Sequence, residues 1–227
     1  MQKDQILVKE NPASNLLEDA KNCLEEARVA NQSGDRSREE MWSRITTLLF
    51  ATALEAFINY VYTYCEVEPK QWMNLSFKGK WLQASAKCLP NMGKIVTLNQ
   101  TVYQTGDSIS TFDESKAPFS MFLELKSVRN QLVHLKPSFK AITFPSSDKQ
   151  LTGELVYQET GLPKQVSLFN LSHAETAEHI YNEMTCELDR QMFGTISKLF
   201  DGQPRIEVRT DSLLGSMIEE LLSEEPK

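Results

Sequence analysis

Apolar residues recur at three- and four-residue spacing along most of this chain, the period of an α-helix with one buried face. The longest such pattern runs from Arg38 to about Cys65, where Ile45, Leu48, Leu49, Ala53, Ala56, Tyr60 and Val61 make a broad apolar face. That breadth predicts a central core helix. Ser37 followed by Glu40 reads as a capping box at its start, and Pro69 lies just past its end. Upstream, Ser14 is placed to cap a helix through Leu16, Leu17, Cys23, Leu24 and Ala27 to about Gln32, where Gly34 breaks it. Downstream, Trp81 and Leu82 fall in a short helix over residues 78–87. Leu89-Pro90-Asn91 ends it, and residues 92–102 form another.

A surface loop is expected over residues 105–116, rich in Gly, Asp and Ser. The next helix occupies Phe119 to about Pro137, with Met121, Leu125, Val128, Leu132 and Leu135 on its apolar side. Pro118 suits a first helical position and Pro137 cannot continue the helix. The period then changes from helical to alternating. Residues 139–144, 154–157 and 165–169 are short runs rich in β-branched and aromatic residues, separated by turn formers, so a small hairpin or three-stranded insertion is predicted. Ser172 and Glu175 read as a second capping box, opening a helix to about Phe200. A last amphipathic helix, about 212–222, leads into an acidic tail. The division expected is a flexible N-terminus at 1–13, a helical domain at 14–209 with its β insertion at about 138–170, and the amphipathic helix and tail at 210–227.

Two polar features conflict with these apolar faces. At 100° per residue, Thr52, Glu55 and Asn59 fall within about 60° of one another on the apolar side of the long helix. Arg129 falls at the edge of the apolar arc of its own helix, beside Leu125 and Leu132. A carboxylate and a guanidinium so placed each need a partner, so Glu55 and Arg129 are expected to pair; the alternative is that Glu55 reaches water from the shoulder of its helix. Asn130 and His134 lie about 40° apart and point off the apolar arc, with Arg129 about 140° from His134.

The chain of 227 residues has 41% hydrophobic and 24% charged residues, enough for one sizeable core. No span is expected to approach the apolar length of a membrane helix, and the first residues do not read as a signal peptide. Cys23, Cys65, Cys88 and Cys186 are scattered without CxxC spacing, which fits reduced, buried thiols in a cytoplasmic protein better than disulfides or metal ligands. The net charge of -7 weighs against a nucleic-acid partner, but the stretch 70–149 is net basic between acidic flanks. Those lysines form either a patch or a scattered, solvated set.

Arg129-Asn130-Gln131-Leu132-Val133-His134, late in a helix of a mainly helical chain, resembles the signature of the HEPN superfamily. That pattern is Arg, a polar residue, three further residues and His. The earlier helix LLFATALEAFINYVYTY is similar to the acidic helix that the family packs against the motif, and the likeness spans roughly Arg38 to Leu199. The resemblance implies a mainly α fold, an antiparallel helical bundle here carrying a small β-hairpin insertion. It further implies a metal-independent endoribonuclease of toxin or defence type, RNA as the substrate, and a homodimer with the motif helix at its interface. An antitoxin protein is a candidate partner.

Metal-free RNA cleavage needs a base for the 2′-hydroxyl proton, an acid for the leaving oxygen, and a cation on the phosphate as charge builds. His134 suits the first two roles, because an unperturbed imidazole changes charge near neutral pH. Arg129 suits the third, and Asn130 can orient His134 or bind phosphate, with Glu55 and Asn59 in support. The alternatives are a His134 that merely caps a helix end, and a HEPN-like module that binds RNA, a nucleotide or a protein without catalysis. No cofactor is expected. His173 and His179 lack companions of ligand type, and neither a phosphate-binding glycine pattern nor a nucleophile elbow is present.

Overall fold

The computed structural model describes residues 6–8, 12–97, 111–134, 156–165, 168–192, 194, 196 and 206–208. These fall into two compact units, residues 12–196 and a smaller one drawn from the two chain ends. In the smaller unit, β1 (Ile6–Val8) pairs antiparallel with β2 (Ile206–Val208), Leu7 standing opposite Glu207. The larger unit is helical: α1 (Pro12–Ser33), α2 (Arg36–Tyr64), α3 (Phe77–Thr97), α4 (Phe119–Val133) and α5 (Leu171–Gln191). The expected mainly α class holds.

The α1–α2 pair is the most extensive helix contact. Small side chains explain it: Ala13, Ala20, Ala27 and Ala30 are buried on α1, and Ser43, Thr46, Thr47 and Ala51 on α2, so the two backbones can approach closely. The link between them is tight. Gly34 adopts φ +72°, which a side chain would resist, and the Asp35 N–H bonds back to the Ala30 carbonyl at 2.9 Å. Asp35 then caps α2, its carboxylate accepting from the Arg38 N–H at 3.1 Å. The expected Ser37–Glu40 box is therefore corrected: Asp35 follows directly on the glycine that ends α1, so the helix begins before Ser37 is reached.

α2 lies at the centre, touching α1, α3, α4 and α5. Phe50, Leu54, Phe57, Ile58 and Val61 are all buried there. Phe57 stacks on Trp81 of α3 at 5.9 Å between ring centroids, Trp81 meets Phe122 of α4 at 5.8 Å, and Phe122 meets Phe77 edge-on at 5.0 Å. Burying such side chains contributes roughly 1.5–3 kcal/mol each, which makes this aromatic chain the joint between three helices. Trp81 is thus core, and unavailable for stacking on bases. The same burial answers the membrane question for α2. By length and composition it is apolar enough to cross a membrane, contrary to expectation, yet 56% of its apolar window is buried within the protein.

Three further expectations are corrected. α3 runs through Pro90 to Thr97, although an interior proline lacks the backbone donor of its turn and disfavours the helix by about 3 kcal/mol. α5 is capped by Asn170, not Ser172: the Asn170 carboxamide accepts from the His173 N–H at 3.3 Å while His173 Nδ1 accepts from the Asn170 N–H at 3.0 Å. It also ends at Gln191, short of Phe200. Gly194 at φ +69° bonds back to the Asp189 carbonyl at 2.9 Å and turns the chain away.

In the region of the predicted insertion, Val156 and Pro163 form an antiparallel bridge around a tight turn. Gly161 sits there at φ +68°, and Leu162 beside it is fully buried. The Leu168 N–H bonds to the Gln165 carbonyl at 3.3 Å, so the described part of the 165–169 run turns and does not extend. The predicted run at 139–144 and the C-terminal helix at 212–222 lie outside the described residues.

Candidate functional site

The motif residues occupy the last turn of α4. The helix ends at Val133, and His134 is its C-cap, with φ −109° and ψ 59° and its backbone N–H bonded to the Asn130 carbonyl at 3.0 Å. Val128 and Leu125 are buried and set the rotation of the helix, which leaves Asn130, Gln131 and His134 exposed and Arg129 turned toward α2. No described residue hydrogen-bonds the His134 imidazole. It stands in solvent at the helix end.

Arg129 Nη2 meets Glu55 Oε2 at 3.0 Å, joining α4 to α2 with the two side chains 27% and 34% exposed. The pairing expected from two charges near apolar faces is therefore present in the structure. Arg129 Nη1 also donates to Asn130 Oδ1 at 3.2 Å. Its Nε is buried and has no hydrogen-bond acceptor among the described residues. A guanidinium offers five N–H donors, so these two bonds fix its plane and leave further Nη hydrogens for an anion.

The rest of the α2 polar seam resolves differently. Thr52 bonds back to the Leu48 carbonyl at 2.8 Å, within its own helix. Asn59 Oδ1 accepts from Lys80 Nζ at 2.7 Å, and that ammonium lies 5.0 Å from the centre of the Trp72 ring. Glu55 and Asn59, one turn apart, thus each hold a cation, one from α4 and one from α3. Nothing in the sequence pattern points to Lys80, because the contact spans 21 residues and a short loop.

A second cluster on α4 is also unforeseen. Glu124 accepts from the Thr160 N–H at 2.9 Å, the Thr160 hydroxyl at 2.7 Å and the Glu159 N–H at 3.3 Å. Two turns along the helix, Gln131 Nε2 donates to the Tyr157 hydroxyl at 3.0 Å. The 156–165 turn is thereby laid along the helix that carries the motif. Its far side meets α5: burial lowers the pKa of His173 from 6.5, opposed by a hydrogen bond to the Gly161 backbone.

A cleft of about 290 Å³ opens at the other end of α4, lined by Phe112, Asp113, Lys116, Phe119, Glu187 and Arg190 among others. Its charges are internally paired, Lys116 with Asp113 at 3.0 Å and Arg190 with Glu187 at 2.6 Å. Bonds from the Ser115 hydroxyl and N–H, then from Lys116, bring the Asp113 carboxyl down to about 2. A 15-residue helix separates this cleft from His134 by about 20 Å, so it does not serve the motif.

All four cysteines are free: Cys65 and Cys88 are buried, Cys23 half-buried and Cys186 exposed. The Cys65 thiol beside it, together with burial, pushes the Cys88 thiol up, which keeps it protonated and unreactive. Among the described residues no three His, Cys, Asp or Glu side chains are grouped to hold a metal ion. The chain matches no protein-family model, no curated protein and no solved structure.

Proposed function

We propose that this chain is a HEPN-like helical bundle acting as a metal-independent endoribonuclease of toxin or defence type, with Arg129, Asn130 and His134 as its site. The observation that carries the reading is the division of labour at the end of α4. Glu55 and Asn130 hold the Arg129 guanidinium in a fixed plane, while the imidazole of His134 stays exposed and unengaged by any described residue. Phosphodiester transesterification requires both a held cation and a free acid–base group.

In this reading His134 takes the proton of the 2′-hydroxyl as its oxygen attacks phosphorus. The bond to the 5′-oxygen breaks, that oxygen takes the proton His134 has accepted, and the products are a 2′,3′-cyclic phosphate and a free 5′-hydroxyl. Arg129 neutralises the charge that builds on the non-bridging oxygens. Asn59 and Lys80 support the Glu55 turn of α2, and the bridged turn at Val156 and Pro163 belongs to the β insertion.

Within one chain Arg129 faces α2 and His134 faces solvent, so a single protomer does not aim both at one phosphate. A two-fold homodimer with α4 at its interface repairs this by bringing a second Arg129 and His134 to the same cleft. The same divergence favours the second reading, a non-catalytic HEPN-like module that binds RNA, a nucleotide or a protein. Cleavage of mixed RNA by the purified protein, and its loss in His134→Ala, separates the two. An antitoxin protein would be sought by co-purification only after cleavage is seen.

A further inference from the structure

The 156–165 turn is held to α4 at two points two helical turns apart, through Glu124 and through Gln131. Of these, Gln131 matters for chemistry. It precedes His134 by three residues, and residues at that spacing are neighbours on a helix surface, with roughly 5–6 Å between Cβ atoms. The Tyr157 hydroxyl bound to Gln131 is therefore carried to the open end of α4 where Asn130 and His134 lie exposed.

Two properties make this more than a surface contact. The Tyr157 oxygen accepts from Gln131, which leaves its own proton to donate, and no described residue receives it. Lys164, at the other arm of the turn, places its ammonium 5.3 Å from the centre of the Tyr157 ring. It has no carboxylate partner among the described residues, whereas Lys70, Lys78 and Lys116 each meet one. A phenol and an ammonium that meets no carboxylate among the described residues, carried by one turn that is bonded to the motif helix three residues before His134, form a two-donor edge that suits phosphate oxygens.

From this juxtaposition we infer that Tyr157 and Lys164 bind the backbone of single-stranded RNA next to the scissile phosphate. Tyr157 donates its hydroxyl hydrogen to a non-bridging oxygen and Lys164 neutralises the charge. Both are positioning residues: they set where the strand lies against His134 and take no proton in the reaction. The inference rests on the ribonuclease reading above, but it makes a claim about binding that can be tested apart from cleavage.

The experiment uses the full chain and a fluorescent, unstructured RNA oligonucleotide of mixed sequence. Affinity is measured by anisotropy in the His134→Ala background across a salt series, and single-turnover cleavage is measured with His134 intact. Lys164→Ala should weaken binding several-fold and lower the salt slope by about 0.7, the value for one phosphate contact on a single strand. Lys164→Arg should restore both. Tyr157→Phe, which removes only the hydroxyl, should raise the protein concentration for half-maximal cleavage rate while leaving the maximal rate within a factor of about two. Affinity and salt slope unchanged in both variants while the native protein cleaves would overturn the inference and leave the ribonuclease reading standing. Binding that depends on Lys164 without any cleavage would sustain the contact with the RNA backbone but overturn its placement at a scissile phosphate, together with the catalytic reading. A protein that binds no RNA overturns the inference outright.

Discussion

Arg129 on α4 and Glu55 on α2 join at 3.0 Å across 74 residues of chain, and this one ion pair ties the motif helix to the central helix of the core. It is only partly shielded, with both side chains about a third exposed or less. A double-mutant cycle with Arg129→Met and Glu55→Gln should give a coupling energy of about 1 kcal/mol by urea unfolding. Coupling indistinguishable from zero would mean that the pair does not persist in solution and that Arg129 is not held in place.

Glu124 accepts three hydrogen bonds from the 156–165 turn. Replacing it by alanine leaves the half-buried Thr160 groups without an acceptor, at a cost of about 1–3 kcal/mol. Hydrogen exchange should show the Thr160 amide losing protection while the α2 amides keep theirs. Unchanged protection at Thr160 would show that the turn is held by other means.

His173 links pH to stability. Its Nδ1 accepts from the Asn170 N–H, and burial lowers its pKa in the folded protein from the value of 6.5. Between the depressed folded value and 6.5 the unfolded chain binds more protons, so this contribution is complete above the upper value and is lost as pH falls toward the lower. His173→Gln keeps an acceptor for the cap but does not titrate. The urea midpoint of the native protein should therefore fall faster than that of the variant as pH drops below 6.5. Parallel curves would contradict the assignment of a half-buried, neutral imidazole.

The parts of the fold that were legible in the sequence are those fixed by burial. Leu24 and Ala27, Leu125 and Val128, and Ile180 and Met184 sit on apolar faces whose period alone places α1, α4 and α5. On α2 the expected face is corrected: Ala53 and Val61 are buried, but Ile45, Leu48, Leu49, Ala56 and Tyr60 are only half-buried, and Phe50, Leu54, Phe57 and Ile58 fill the core instead. Helix starts were less legible, because Asp35 and Ser37, like Asn170 and Ser172, offer two capping residues within one turn. The choice falls to the backbone: Gly34 turns the chain just before Asp35, and Asn170 is extended. At the site, Arg129 and Glu55 could be matched because each was anomalous on its own face. Lys80, Glu124 and Tyr157 were not anomalous, since each is an ordinary polar residue on an exposed or half-exposed position. Their roles depend on contacts spanning 21, 36 and 26 residues that no local pattern encodes.

Assembly gives a separate prediction. Sedimentation at micromolar concentration should show a homodimer, and mixed dimers carrying one His134→Ala subunit should keep less than half the native activity. A stable monomer that still cleaves RNA would contradict a composite site.

The measurement closest to the central claim is incubation of the purified protein with mixed RNA in the presence of EDTA, followed by analysis of the product ends. The account predicts fragments bearing 2′,3′-cyclic phosphates and 5′-hydroxyls, undiminished by the chelator and absent in folded His134→Ala and Arg129→Ala variants. Intact RNA with the native protein, or cleavage that persists in the His134→Ala variant, would contradict it.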